Sequence, residues 1–225
     1  MIWTLWGYLA ALLWGTAVGV DLVSFPQAMI ARPVVAGTVT GWLLGDPLLG
    51  LRVGVVLELF ALDVLPIGAS RYPDYGPATV AAVAAGVGHP WEWALGVCTA
   101  VGLAMSLVGR WSLEQLRRRN ALAAQAASEA LSAGDAEVVR RLHLSALGRD
   151  AVRSLLLTGA GLLLARLLGA RIPEDPGFGQ VLSWLAIGGA IAAVIGGAVR
   201  SAAHGRRLRW LLAGFAGSLI LILLR

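Results

Sequence analysis

The first twenty residues, MIWTLWGYLAALLWGTAVGV, contain no charged side chain. A helix of about 20 apolar residues crosses the hydrocarbon core of a bilayer. The stretch has no basic leading region and no A-x-A site after it, so we expect a retained membrane segment, not a cleaved signal peptide. Further apolar stretches follow at 33–45, 47–70, 75–91, 93–109, 154–170, 178–199 and 210–224. Lipid offers the backbone no hydrogen bonds, so stretches of this kind are read as helices. Only 14% of residues are charged, against about 25% in soluble domains. The expectation is an all-α, polytopic integral membrane protein forming one domain over 1–225.

Charge divides that domain into three parts. Residues 1–109 hold most of the motifs noted below. Residues 110–153 carry eight Arg and five acidic residues, a net charge of +3. Residues 154–225 return to apolar segments, with four Arg in "RSAAHGRRLR" between the last two. Cytoplasmic loops collect basic residues, so both Arg-rich stretches are expected inside and 171–177 outside. Within the charged part, "SAGDAEVVRRLHLSALG" reads as a short amphipathic helix. Asp135 suits its N-cap, Glu137 its first turn and Gly148 its stop. The Arg residues sit beside apolar segments and lack the interleaved aromatics of a nucleic-acid binder.

The apolar segments of the first ninety residues are short and broken by Pro or Gly. Irregular backbone at membrane depth survives only against protein or a water-filled cavity, and interrupted segments point to a transporter's binding site. Their topology stays open. Close helix packing is expected at "GWLLG" (41–45), "GLRVG" (50–54) and "GGAIAAVIGGA" (188–198), where small residues let backbones approach.

Within "GVVLELFALDVLPIGASRYPDYGP", residues 54–77, two carboxylates interrupt the apolar run. An ionised carboxylate at the bilayer centre costs about 2.5–3.5 kcal/mol on insertion scales. Glu58 therefore needs a partner, a proton or a wet cavity. On a continuous helix Glu58 and Asp63 would lie about 140° apart, so they form no acid pair there without a break. Glu58 either accepts hydrogen bonds from a polar solute such as a sugar hydroxyl, or pairs structurally with Arg32, Arg52 or Arg71. Asp46 and Asp63 read as loop or interfacial groups, and Asp74 as a turn residue.

Cys98 lies in an apolar run and reads as a small buried hydrophobe. His89, His143 and His204 have no Cys or carboxylate at nucleophile or metal spacing, and no G-x-S-x-G, H-E-x-x-H or Walker A pattern is present. No catalytic residue and no cofactor are expected.

One resemblance is carried by several elements in order. These are Asp21, Gln27, Arg32-Pro33, Gly41 with Leu44-Gly45-Asp46, Gly50, Gly54, Leu57-Glu58, Ile67-Gly68-Ala69 and Pro73-Asp74. Together they resemble the sugar-specific IIC membrane subunits of the mannose/fructose/sorbose class of the bacterial phosphotransferase system. The later "AEVVRRLHLSALGRDAVRS" also looks like this family. The resemblance implies a sugar permease of the bacterial inner membrane, with broken helices and re-entrant hairpins in an elevator-type assembly. It implies a second membrane subunit, IID, and cytoplasmic IIA and IIB phosphocarriers, which hold the phosphorylated histidines.

On this reading Glu58 accepts sugar hydroxyls and the backbone of Pro66, Ile67, Gly68 and Ala69 lines the same cavity. Asp21, Gln27 and Asp74 are further lining candidates. The chain departs from the mannose branch at Leu65-Pro66, where Trp or Met followed by Asn is common, so the sugar stays open. Two alternatives also remain: a degenerate relative acting as sensor or assembly partner, and an ion-coupled carrier.

Overall fold

The computed structural model describes residues 4–62, 70–169, 175–202, 209–210 and 213–214. The described residues form helices and no strands: α1 (Leu5–Asp21), α2 (Pro33–Leu44), α3 (Pro47–Ala61), α4 (Tyr75–Gly86), α5 (Trp91–Ala126), α6 (Ser128–Ser132), α7 (Ala136–Gly169) and α8 (Pro176–Ala202). Helices α5, α7 and α8 are long and apolar enough to cross a membrane.

The breaks have local causes. Pro33 and Pro47 occupy the first turns of α2 and α3, where a missing N–H costs nothing and the fixed φ suits helix entry. Gly45, at φ 91°, ends α2 in the left-handed region. Asp46 then caps α3, its carboxylate accepting from Leu49 N at 2.9 Å. Gly88, at φ 92°, and Pro90 separate α4 from α5.

The two short helices α2 and α3 pack backbone to backbone. A methyl group on Gly37 would come within 2.5 Å of the Gly50 carbonyl oxygen, and one on Gly54 within 2.6 Å of the Pro33 carbonyl. Gly41 and Gly50 face each other so closely that neither accommodates a side chain. The packing expected at "GWLLG" and "GLRVG" is thus a single seam. Of the packing expected at "GGAIAAVIGGA", Ala190 is buried in the core, but the Gly188 and Gly196 face is open. A methyl group on Gly188 or Gly196 would meet nothing within 4 Å, and one on Gly189 only the Phe60 ring tip. Helix α8 instead meets α5 near its start, where Ser183 Oγ accepts from Gly96 N at 2.9 Å.

Helix α4 is buried from Gly76 through Gly86. It has no polar face because its neighbours surround it. Around it the main apolar core draws on α1, α3, α4, α5, α7 and Ala190 of α8.

The charged stretch 110–153 is organised differently from the expectation. Helix α5 has 36 residues and α7 has 34, which at 1.5 Å per residue is about 50 Å each, beyond a ~30 Å hydrocarbon core. The charged residues therefore extend two apolar helices. Asp135 does cap α7, accepting from Glu137 N at 2.9 Å and Val138 N at 3.1 Å. Gly148 does not stop it; the helix runs on to Gly169. A mid-helix Gly costs about 1 kcal/mol. The flanking contacts outweigh that, since Arg149 donates to Asn120 Oδ1 of α5 at 2.9 Å and Asp150 is buried.

Candidate functional site

The end of α1, the start of α2, the end of α3 and the approach to α4 converge on one cavity of about 360 Å³. Asp21, Gln27 and Arg32 supply its charged and amide groups, with Tyr72 and Tyr75 beside them. Pockets of this size, mostly apolar with a few placed polar groups, suit small ligands.

Each polar residue has a structural reason for its place. Asp21 ends α1 and is buried. Its Oδ1 accepts from Ala28 N at 2.6 Å and its Oδ2 from Ala31 N at 3.0 Å, so it folds the connector back over the helix end. Gln27 and Met29 of that connector adopt φ of 60° and 63°. The left-handed region costs a non-glycine residue about 1–2 kcal/mol. The strain falls on residues that line the cavity, where such strain tends to accompany function.

Glu58 lies one turn beyond Gly54, at the seam between α2 and α3. Its Oε1 forms an ion pair with the Arg32 guanidinium, and its Oε2 accepts from Val34 N at 3.3 Å. Val34 is in the first turn of α2, whose free N–H groups and dipole favour an anion. Of the three arginines considered for Glu58, Arg32 is the partner. Arg52 lies over the Trp91 ring, 4.3 Å from its centroid, and Arg71 Nε is 3.7 Å from Glu114. Glu58 is absent from the cavity lining while Arg32 is part of it. The carboxylate therefore stands behind the guanidinium, one side chain from the space.

Asp74 is neither a simple turn residue nor a lining group of this cavity. It is fully buried, and its Oδ2 accepts from Arg153 Nη1 at 2.8 Å. Arg153 also donates through Nε to Asp150 Oδ1 at 2.9 Å, through Nη1 to Ser112 Oγ at 3.2 Å and through Nη2 to Gly19 O at 3.3 Å. Asp150 accepts in turn from the Ser24 hydroxyl. One guanidinium thus ties α1, the approach to α4, α5 and α7 together. Sequence reasoning left Arg153 and Asp150 in the solvated segment. Their signal was available: an Asp and an Arg three apart, directly before the apolar run at 154.

Pro66, Ile67, Gly68 and Ala69, and with them Asp63, lie outside the described residues. Their described flanks, Ala61 and Tyr72, both border the cavity.

Membrane-length helices, a helical hairpin of two short segments and a polar-rimmed cavity where helices break define a multi-pass membrane protein. The family model described as "PTS system sorbose-specific iic component" matches residues 4–223, and the chain belongs to that family. It is 33% identical over 123 residues to the PTS system sorbose-specific EIIC component of Klebsiella pneumoniae, covering 54% of this chain and 45% of that protein. It is 28% identical over 123 residues to the PTS system mannose-specific EIIC component of Escherichia coli K12, with the same two coverages, 54% and 45%. To the fructose permease IIC component of Bacillus subtilis it is 27% identical over 166 residues, 73% of this chain and 60% of that one. The chain thus spans about half the length of the curated relatives it matches. Among solved structures, the mannose transporter ManYZ in complex with microcin E492 aligns at a TM-score of 0.61 and 19% identity, over 97% of this chain and 88% of that one. Another membrane protein aligns at 0.67 and 19% identity, over 96% and 87%. At such identities the likeness concerns the fold.

Proposed function

We propose that this protein is the sugar-translocating IIC subunit of a phosphoenolpyruvate-dependent phosphotransferase system of the mannose/fructose/sorbose class, in the bacterial inner membrane. The observation that carries the reading is the cavity rimmed by Asp21, Gln27 and Arg32 at the meeting of four helix ends. A hexose presents hydroxyl groups that both donate and accept. Arg32 offers donors with full charge, Asp21 and Gln27 offer acceptors, and charge-assisted bonds of this kind are about twice as strong as neutral ones. Tyrosine rings supply an apolar face with a polar tip.

On this reading Glu58 is a positioning residue. It holds the Arg32 guanidinium at the cavity wall, instead of meeting the sugar itself. Asp74 acts at a further remove, through Arg153. The chain functions as one domain, 1–225, with the 110–153 segment facing the cytoplasm, the IID subunit beside it in the membrane, and IIA and IIB delivering the phosphoryl group. Elevator-like movement would expose the cavity to each side in turn.

The test is uptake of labelled mannose, fructose and sorbose into vesicles holding this protein with an IID partner and the phosphocarriers. Phosphoenolpyruvate-dependent accumulation of at least one sugar is expected. No accumulation of any would favour a sensor or assembly partner. Uptake that ignores removal of IIB and collapses with the proton gradient would favour an ion-coupled carrier.

A further inference from the structure

Beside the first cavity lies a second, of about 460 Å³, sharing Leu22, Gln27 and Tyr72 with it. Its character is opposite. The first is lined by both Asp21 and Arg32. The second is lined by Arg117, Asn120 and His143, and among the described residues by no carboxylate.

The donors of this second space are held ready. Arg117 gives Nη1–H to Ser70 O and Nη2–H to the Tyr72 hydroxyl, both at 2.7 Å. A guanidinium has five N–H groups, so three remain. Asn120 accepts from Arg149 through Oδ1 at 2.9 Å. Arginine only donates, so that contact fixes the amide orientation and leaves the Asn120 NH₂ to donate. The nearby carboxylates are spent elsewhere. Asp150 is buried against Arg153 and Ser24, and Glu114 lies against Arg110 at 3.2 Å and Arg71 at 3.7 Å. A space lined by the Arg117 cation and the Asn120 donor, with no carboxylate among its described lining residues, selects an anion. The planar fork of Arg117 matches a phosphate in particular.

We propose that this second cavity is an exit site for the phosphoryl group of the phosphorylated sugar. The proposal rests on the transport reading above. A phosphate monoester adds about −1.5 to −2 charges at neutral pH, which Asp21 in the first cavity repels and Arg117 in the second attracts. Leu22, Gln27 and Tyr72 line both spaces, so the phosphate site lies directly beside the sugar site. The charged extensions of α5 and α7 supply Arg117, Asn120 and His143, so the anion is received on the side assigned to the cytoplasm.

The test uses the purified full chain in phosphatidylcholine nanodiscs, with mannose, mannose 6-phosphate and inorganic phosphate as probes in calorimetry. Mannose 6-phosphate is expected to bind more tightly than mannose. Arg117→Gln should reduce that preference roughly tenfold, the loss expected for one charged hydrogen-bonding partner. Arg117 also braces Ser70 and Tyr72, so two more variants separate charge from folding. Arg117→Lys should retain most of the preference, and His143→Gln, which touches neither brace, should lose about threefold, less than a full charge-assisted bond. An unchanged preference in both Gln variants, with mannose still bound, overturns the exit site and leaves the transport reading standing. Binding of inorganic phosphate through Arg117 with no sugar bound or taken up overturns both. Adding phosphatidylglycerol distinguishes a lipid headgroup: if it abolishes the mannose 6-phosphate binding, the proposal falls, and persistence supports it.

Discussion

Two arginine–carboxylate centres, built from the same chemistry, sit in opposite surroundings. At Arg32–Glu58 the side chains are 45% and 16% exposed and the guanidinium borders a cavity. At Arg153 the guanidinium is 8% exposed, and Asp74 and Asp150 are completely buried. The buried centre joins four segments and has no function that needs access. The open one joins two helices and presents a cation to a space. Burial thus separates an ionic group that organises the fold from one available to a ligand; sequence reasoning pointed to Glu58 and passed over the buried Arg153 centre.

Breaking the buried centre should have the largest effect. Arg153→Met leaves two carboxylates without their cation, and losing one member of a buried pair costs about 3–5 kcal/mol. The expected outcome is little folded protein in the membrane, read by fluorescence-detected size exclusion. Accumulation at wild-type level would mean that the centre contributes little.

The two glycine faces give the next contrast. Gly50→Val places a branched side chain against the backbone of Gly37 and Gly41. Overpacking of this kind costs about 1–3 kcal/mol, and here it also displaces Glu58 from Arg32, so both thermal midpoint and uptake should fall. Gly196→Val enters open space on α8 and should shift chain stability by less than about 0.5 kcal/mol. A large loss of stability from Gly196→Val in the isolated chain would show that this face is packed after all.

Much of the helical architecture was legible because its signals are local. Pro33, Gly45, Asp46-Pro47 and Gly88–Pro90 punctuate helices through φ preferences and capping that no distant contact has to supply. The seam at 41–54 was legible because four glycines fall on two short segments in immediate succession. What failed was nonlocal. Gly148 looks like a helix stop until Asp150 and Arg153 find partners on α1, α5 and the approach to α4. The glycine repeat on α8 has the same spacing as the seam, yet nothing in its own sequence says what it faces. Glu58 stood out as an acid amid apolar residues, but choosing among Arg32, Arg52 and Arg71 required the fold. The left-handed Gln27 and Met29 carried no sequence signal, since neither is a residue type that favours that conformation.

The central claim is that the Arg32–Glu58 pair serves the cavity more than the fold. Its direct test is Glu58→Gln, with thermal midpoint and initial uptake rate per folded molecule measured on the same preparation. With the Arg32 side chain 45% exposed, solvent screens the pair and its contribution to stability is about 0–1 kcal/mol, so the midpoint should move little. Uptake should drop roughly tenfold, because Arg32 loses the charged partner that orients it. A large fall in the midpoint with uptake per folded molecule unchanged would contradict the account and make the pair a purely structural brace.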